Sequence, residues 1–204
     1  VQVPLQISAR FTARVALAEI LSLGAEPLAI VLTLSVEPYP FLQEAREGIQ
    51  EELATIGKED LPVLFSSEKN MKTRQTGLGV TVVGRKTHLL PLPSFPLFLY
   101  ALGVPSCGPE VLAHEGEIAD LRDILCLRTF APLILPVGSQ GVFCEALTVA
   151  RELGAKLHLS PPFPYSLFRS CGPATVCLFG SQEKNEASLP LSKPVWRIGT
   201  LWPV

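Results

Sequence analysis

The feature that most constrains this chain is an unbroken apolar run, Pro27 to Val36 (PLAIVLTLSV). About ten residues are half of the ~20 that a helix needs to cross a bilayer. A run this short, rich in β-branched side chains and almost free of polar ones, predicts a buried strand. Such a strand needs elements packed against it, and amphipathic segments flank it on both sides. Ala9 to Leu23 carries Phe11, Val15, Leu17, Ala18, Ile20 and Leu21 at helical spacing, with Gly24 where a C-terminal cap belongs. Phe41 to Ile56 is a second helix by the same pattern. Phe41, Leu42, Ala45, Ile49 and Leu53 are expected to face inward, and Glu44, Arg46, Glu47, Gln50, Glu51 and Glu52 outward. Short strands are expected at Leu61 to Phe65 and at Gly77 to Gly84.

Lys86 to Phe95 holds two prolines, with Pro96 next in line, without periodicity and reads as a linker. Beyond it, strands are expected at Leu97 to Leu102, Leu133 to Pro136, Ala174 to Phe179 and Val195 to Trp202. Helices are expected at Glu117 to Leu127 and Ser139 to Leu153, the latter capped by Ser139. Gln182 to Ser192 reads as a polar loop. The expected fold class is α+β (mixed α/β) in two domains, 1–86 and 87–204.

Composition narrows the function. Net charge is −2 and the 17 Lys and Arg are scattered, which argues against nucleic acid and against an anionic membrane as partners. Five cysteines, an odd number without a CxxC pair, predict free thiols of a reducing, cytoplasmic protein. His88, His114 and His158 have no metal-ligand spacing. A 204-residue chain that is 48% hydrophobic has surface to hide, so a homodimer is expected.

Several polar groups are placed for chemistry. Asn70, Thr73, Gln75 and Thr76 offer hydrogen bonds to a nucleotide or substrate, and Gly77 and Gly79 allow close backbone approach; the plainer reading is a polar hairpin. Gly138, Ser139 and Gly141 lie between a strand and a helix N-terminus, where free N–H groups and the helix dipole favour an anion, or simply cap the helix. Arg169 and Ser170 precede a Gly172-Pro173 turn into a strand, and Arg169 is a phosphate partner or a surface arginine. Asp120 and Asp123, spaced i, i+3 on a helix, read as a solvated face.

Read together, three stretches resemble a known family: RFTARVALAEILSLGAEPLAIVLTLSVEP (Arg10 to Pro38), SSEKNMKTRQTGLGVTVVGR (Ser66 to Arg85), and the second-half segments YALGVPSCGPEV, LPVGSQGVFCEA and RSCGPATVCLFG. They are similar to the aminoimidazole ribonucleotide (AIR) synthetase-like superfamily, and within it to the α-ribazole kinase-like branch. The resemblance implies an N-terminal-like domain whose sheet forms a dimer interface, and a C-terminal-like domain. It also implies ATP in the cleft between them and Mg²⁺ beside the phosphates. The activity implied is phosphoryl transfer to a small-molecule substrate, the 5′-hydroxyl of α-ribazole, in cobalamin metabolism. Mg²⁺ takes one or two carboxylates beside phosphates and water. The candidates are Glu68, at the family's acidic position before the Asn70 loop, Glu19 on the first helix, and Glu37 at the end of the buried strand. Glu68 and Asn70 are the expected catalytic residues, with Thr73, Gln75, Thr76, Gly77, Gly138, Ser139, Arg169 and Ser170 holding the nucleotide. The plain alternatives are a helix edge for Glu19, a strand end for Glu37 and a loop ion pair with Lys69 for Glu68.

The family also implies a strand with aspartate and glycine ahead of the Arg10 helix. Val1 to Ser8 (VQVPLQIS) has neither, and Leu64 to Ser67 stand where relatives have glycines. The domain is therefore expected to lack its first strand, through a lost N-terminus or through divergence. In the second case the chain is a catalytically weak, dimeric nucleotide- or ligand-binding relative.

Overall fold

A computed structural model describes residues 3–37, 39–68, 70–160 and 163–204. The chain divides into two compact units, Val1–His88 and Leu89–Val204. Among the described residues, no helix is long and apolar enough to cross a membrane.

The first unit is built on α1 (Leu5–Ser22), β1 (Ala25–Ser35), α2 (Phe41–Ala54), β2 (Val63–Ser67) and β3 (Gly77–Lys86), with sheet order β2-β1-β3. The Pro27–Val36 run lies in β1 as far as Ser35; β1 is the central strand, parallel to β2 and antiparallel to β3. Ile30 and Leu32 are fully buried, as are Leu17 of α1 and Ile49 and Leu53 of α2. Gly24, at φ 75°, turns the chain from α1 into β1, a conformation that glycine adopts without the Cβ penalty. The first helix begins four residues ahead of the expected Ala9, at Leu5.

One outward expectation fails. Glu52 is 0% exposed, because Arg14, 38 residues away, meets it inside the helix pair. Arg14 Nε donates to Oε1 at 2.7 Å and its Nη2 to Oε2 at 2.9 Å, while Arg10 Nε reaches Oε2 at 3.3 Å. The Arg14 guanidinium also stacks over Phe11, 4.6 Å from the ring centre. The helices meet closely here: a Cβ on Gly48 would fall 2.0 Å from the Gln6 carbonyl oxygen.

The second unit is a five-stranded antiparallel sheet ordered β5-β7-β4-β8-β6. Its strands are β4 (Leu97–Leu102), β5 (Leu133–Pro136), β6 (Ala155–Leu159), β7 (Cys177–Ser181) and β8 (Val195–Pro203), and its helices are α3 (Glu110–Ala113), α4 (Leu121–Leu127) and α5 (Gly141–Glu152). Val142, Ala146 and Val149 of α5 pack on Leu99, Leu178 and Leu201 of the sheet. Tyr100 stacks on Phe179 at 5.4 Å, and its hydroxyl donates to the Glu183 carbonyl. Burial pushes the Tyr100 hydroxyl up to about 12.

Four expectations are corrected here. Ser139 does not cap α5, because the helix starts at Gly141, with φ 81°, and no side chain caps it. Asp120 and Asp123 are not solvated: each is 9% exposed. They form a capping box at the start of α4, which begins at Leu121 rather than Glu117. Lys193 Nζ lies 2.7 Å from both carboxylates. Burial opposes ionisation of Asp120, but Lys193 and Arg122 outweigh it and hold its carboxyl well below the usual range. Asp123 is pushed upward, by burial first and then by Asp120. The strand expected from Ala174 starts instead at Cys177, because Ala174 has φ 53° and the Thr175 N–H turns back to the Cys171 carbonyl at 2.7 Å. Strand β6 was not expected.

The buried charge cluster generates a stability prediction. Glu52→Ala strands Arg14 without its carboxylate and should destabilise the first unit by about 3–5 kcal/mol. Arg14→Met combined with Glu52→Met, which replaces both charges with apolar volume, should recover most of that loss. Denaturant unfolding followed through the first unit checks both variants. Equal loss in the single and double variants would show that packing, not the charge, carries the effect.

Candidate functional site

In the first unit the site follows from strand direction. The β1–β2 register runs from Ile30 opposite Val63 to Leu34 opposite Ser67, so both strands end at one edge. Glu68 continues β2 past that edge, its N–H donating to the Leu34 carbonyl at 3.2 Å. Its carboxylate accepts the Asn70 N–H. The chain then returns to Glu37, just past β1. The N–H and hydroxyl of Thr73 both donate to the Glu37 carboxylate, each at 3.3 Å. These donors, with the N–H of Glu37 itself as the largest influence, hold the Glu37 carboxyl below the usual carboxylate range.

Asn70, Gln75 and Thr76 are exposed in this loop, and Gly77 opens β3 opposite Ser35. Glu37, Glu68, Asn70, Thr73, Gln75, Thr76 and Gly77 therefore gather at one end of the sheet. Thr76 and Leu78 also line a cavity of about 390 Å³ with Ser8, Phe41 and Glu44. Glu19 is not brought to this end. It is exposed near the C-terminus of α1, which leads into the start of β1. An eleven-residue strand, about 35 Å of chain, separates that end from Glu37. Lys69, the partner in the plain reading of Glu68, lies outside the described residues.

The second unit gathers the remaining candidates. Gly138 and Ser139 follow β5, and the Gly138 carbonyl accepts the N–H groups of Gly141 at 3.3 Å and Cys171 at 3.2 Å. That fastens the Ser170–Pro173 turn against the start of α5. The N–H of Phe143, in the first turn of α5, already donates to the Leu167 carbonyl at 3.0 Å. A Cβ on Gly141 would clash with that crossing segment, 2.6 Å from the Leu167 oxygen. The anion-binding capacity expected of this helix end is thus partly spent on the loop. Ser170 Oγ accepts the Gly172 N–H at 3.4 Å.

Arg169 donates from its guanidinium to Glu110 Oε2, and the Cys107 N–H approaches the same oxygen at 3.4 Å. The Arg169 contact and then the Cys107 N–H hold the Glu110 carboxyl down, and Glu110 holds Arg169 up. Beside them, Thr175 Oγ1 accepts the Ser106 N–H at 3.1 Å and lies 3.0 Å from the Cys171 carbonyl. Ser106 Oγ lies 3.0 Å from His114 Nδ1. Burial pushes the Cys171 thiol up to about 12, which leaves it protonated and unreactive at neutral pH.

Cys107, Glu110 and Thr175 were not among the residues singled out from the sequence. A signal was present: the tetrapeptide Ser-Cys-Gly-Pro occurs at 106–109 and again at 170–173, and the fold brings the two copies side by side. Among the described residues, no group of three or more His, Cys, Asp or Glu side chains could hold a metal ion.

No protein-family model matches the chain, and no curated protein matches it in sequence. Solved structures do match in fold. HypE of E. coli, a hydrogenase maturation protein, superposes with a TM-score of 0.70 at 15% identity, over 96% of this chain and 74% of that one. Thiamine monophosphate kinase from Aquifex aeolicus gives 0.65 at 14% identity, over 98% and 80%. PurL of T. maritima complexed with ATP gives 0.58 at 21% identity, over 97% of this chain and 33% of that one. These likenesses show the AIR synthase-like, mixed α+β fold that the sequence segments implied.

Carboxyl NMR titration tests the contact that closes the Glu37 end. Thr73→Val, which keeps the shape and the backbone N–H but removes the hydroxyl, should move the Glu37 pKa part of the way up toward the ordinary range. A Glu37 pKa that stays put in this variant would show that the Thr73 hydroxyl does not hold the carboxylate.

Proposed function

We propose that this chain binds ATP with Mg²⁺ and transfers a phosphoryl group to a small nucleoside, with α-ribazole the candidate acceptor. The observation that carries this reading is the gathering of Glu37, Glu68 and the Asn70–Gly77 loop at the shared end of a parallel strand pair. Ligands of α/β sheets collect at the carboxyl ends of such strands. The kinase and the ATP complex among the structural neighbours favour ATP-dependent phosphoryl transfer over other uses of the fold. On this reading the two units are the AIR synthase N-terminal-like and C-terminal-like domains, and five free cysteines fit a cytoplasmic setting.

The residues suit a hard cation. The Glu37 and Glu68 carboxylates and the Thr73 and Thr76 hydroxyls are all oxygen donors, and Mg²⁺ needs only one or two carboxylates beside phosphate oxygens and water. When bound, Mg²⁺ neutralises phosphate charge as it develops in transfer. Glu68 is the primary ligand in this reading, aimed by the Asn70 N–H, and Glu37 is the second, held by Thr73. Asn70, Gln75 and Thr76 orient the nucleotide or acceptor through exposed amides and hydroxyls. Gly77, without a side chain, lets the ligand approach the start of β3. Gly138, Ser139, Arg169 and Ser170 offer the second unit's donors to phosphate.

A homodimer through the first unit's sheet is part of the proposal. The face turned away from Ile30 and Leu32 carries Leu64, 61% exposed, and Val83, 50% exposed, beside Val31 and Ala29. An apolar sheet face of this kind favours pairing with a second copy. Light scattering at micromolar concentration should report twice the chain mass, and a monomer would remove this part.

ATP with Mg²⁺ should raise the melting temperature, by about 2.7 kcal/mol of stabilisation at a hundredfold excess over Kd. Glu68→Gln, a near-isosteric change on a loop, should leave the fold intact and abolish the metal dependence of the shift. Mass analysis after incubation with ATP, Mg²⁺ and α-ribazole should show the phosphorylated nucleoside. No shift at millimolar ATP would overturn the reading, and a shift with no product would overturn only the acceptor.

A further inference from the structure

The oxygen Glu110 Oε2 is met from two sides at once, by an N–H of its own turn and by a side chain 59 residues away. The Arg169 guanidinium reaches it from the turn before the second Ser-Cys-Gly-Pro copy, and the Cys107 N–H approaches it at 3.4 Å from the first copy. A guanidinium and a backbone N–H converging on one oxygen is how proteins hold phosphate and carboxylate groups. The contact is not a sealed structural pair: the side chains of Arg169 and Glu110 are 35% and 43% exposed. An ion pair this accessible is weakened by water and salt and opens readily. There is also room beside it. A Cβ on Gly108 would meet nothing within 4 Å, and one on Gly172 would meet only Ser170 Oγ at 3.8 Å.

We propose that the Glu110 carboxylate occupies the seat of an anionic ligand, a phosphate oxygen of a polyphosphate chain, and yields it when that ligand binds. The inference rests on the ATP reading above and deepens it: it adds the Cys107 N–H to the phosphate donors and makes Glu110 an internal competitor for Arg169. The competition favours the ligand. A phosphate offers more negative charge and a bidentate face to the guanidinium, whereas the carboxylate here meets it through one oxygen. His114, Tyr165 and the Cys107 and Cys171 thiols are the other titratable groups near Glu110 and Arg169, and none of them replaces the carboxylate in the seat.

The test is calorimetric titration of the full chain with ATP and, separately, with inorganic tripolyphosphate, for the wild type and for Glu110→Gln. Removing the competing charge should tighten both ligands by roughly two- to fivefold, the range of a part-exposed ion pair. Arg169→Ala added to Glu110→Gln should cancel the gain. Glu110→Asp, which keeps the charge but shortens the reach, should also tighten binding and serves if the glutamine variant misfolds. If the wild type binds ATP and Glu110→Gln binds it equally or more weakly, Glu110 is not a competitor: the inference falls and the ATP reading stands. If neither protein binds ATP or tripolyphosphate, both fall together.

Discussion

Two strands paired in parallel and joined by a helix end at the same edge of their sheet, and this geometry brings Glu37 and Glu68 together. The pairing of β1 with β2 cannot be made by a tight turn, because parallel strands need a crossover of a dozen or more residues. That crossover contains α2, and its position is set where Glu52 is buried against Arg14 and Arg10. A buried charge without its partner is costly, so the ion pair admits few alternative seatings of α2 on α1. The β1–β2 register depends on that seating. With it comes the loop that starts at Glu68, turns through Asn70 and returns to Glu37 at Thr73.

What was legible in the sequence was local. The Pro27–Val36 run could only be a buried strand, and the two helices beside it follow from spacing within a few turns. The Asn70–Gly77 loop was legible as a candidate because its polar residues and glycine are contiguous. Glu52 was assigned to the solvent face because its partner lies 38 residues away, and no periodicity within α2 reports that. The spacing of Asp120 and Asp123 points to solvent for the same reason, since Lys193 is 70 residues beyond Asp123. Strand β6 has a half-exposed, mixed pattern, AKLHL, at the sheet edge, and hydrophobic patterning alone does not mark such a strand.

The second unit shows how a site can be written in a repeat too short to count as one. Four residues, Ser-Cys-Gly-Pro, appear twice, and each copy is an unremarkable turn by itself. Their meeting is a tertiary event: Thr175 bonds the first copy at Ser106 and its own strand entry at Cys171, and the Gly138 carbonyl ties the second copy to the end of β5. Arg169 was noticed as a candidate, but its distance from Glu110 along the chain, 59 residues, hid what it is bonded to.

Burial separates the charges that hold this fold from those available to a ligand. Glu52, Asp120 and Asp123 are at most 9% exposed, and each has its carboxylate met by cations or backbone N–H groups. Exchanging such a partner for a ligand would first require breaking a desolvated contact, which makes these groups poor binding residues whatever their charge. Glu37, Glu68, Glu110 and Arg169 are only partly buried, on loops or at element ends. Their bonds run to backbone N–H groups, one hydroxyl and one another, contacts that water can share and a phosphate or cation can replace at low cost. The same physics that makes the first set easy to mistake for surface residues in the sequence makes the second set the place where chemistry can occur.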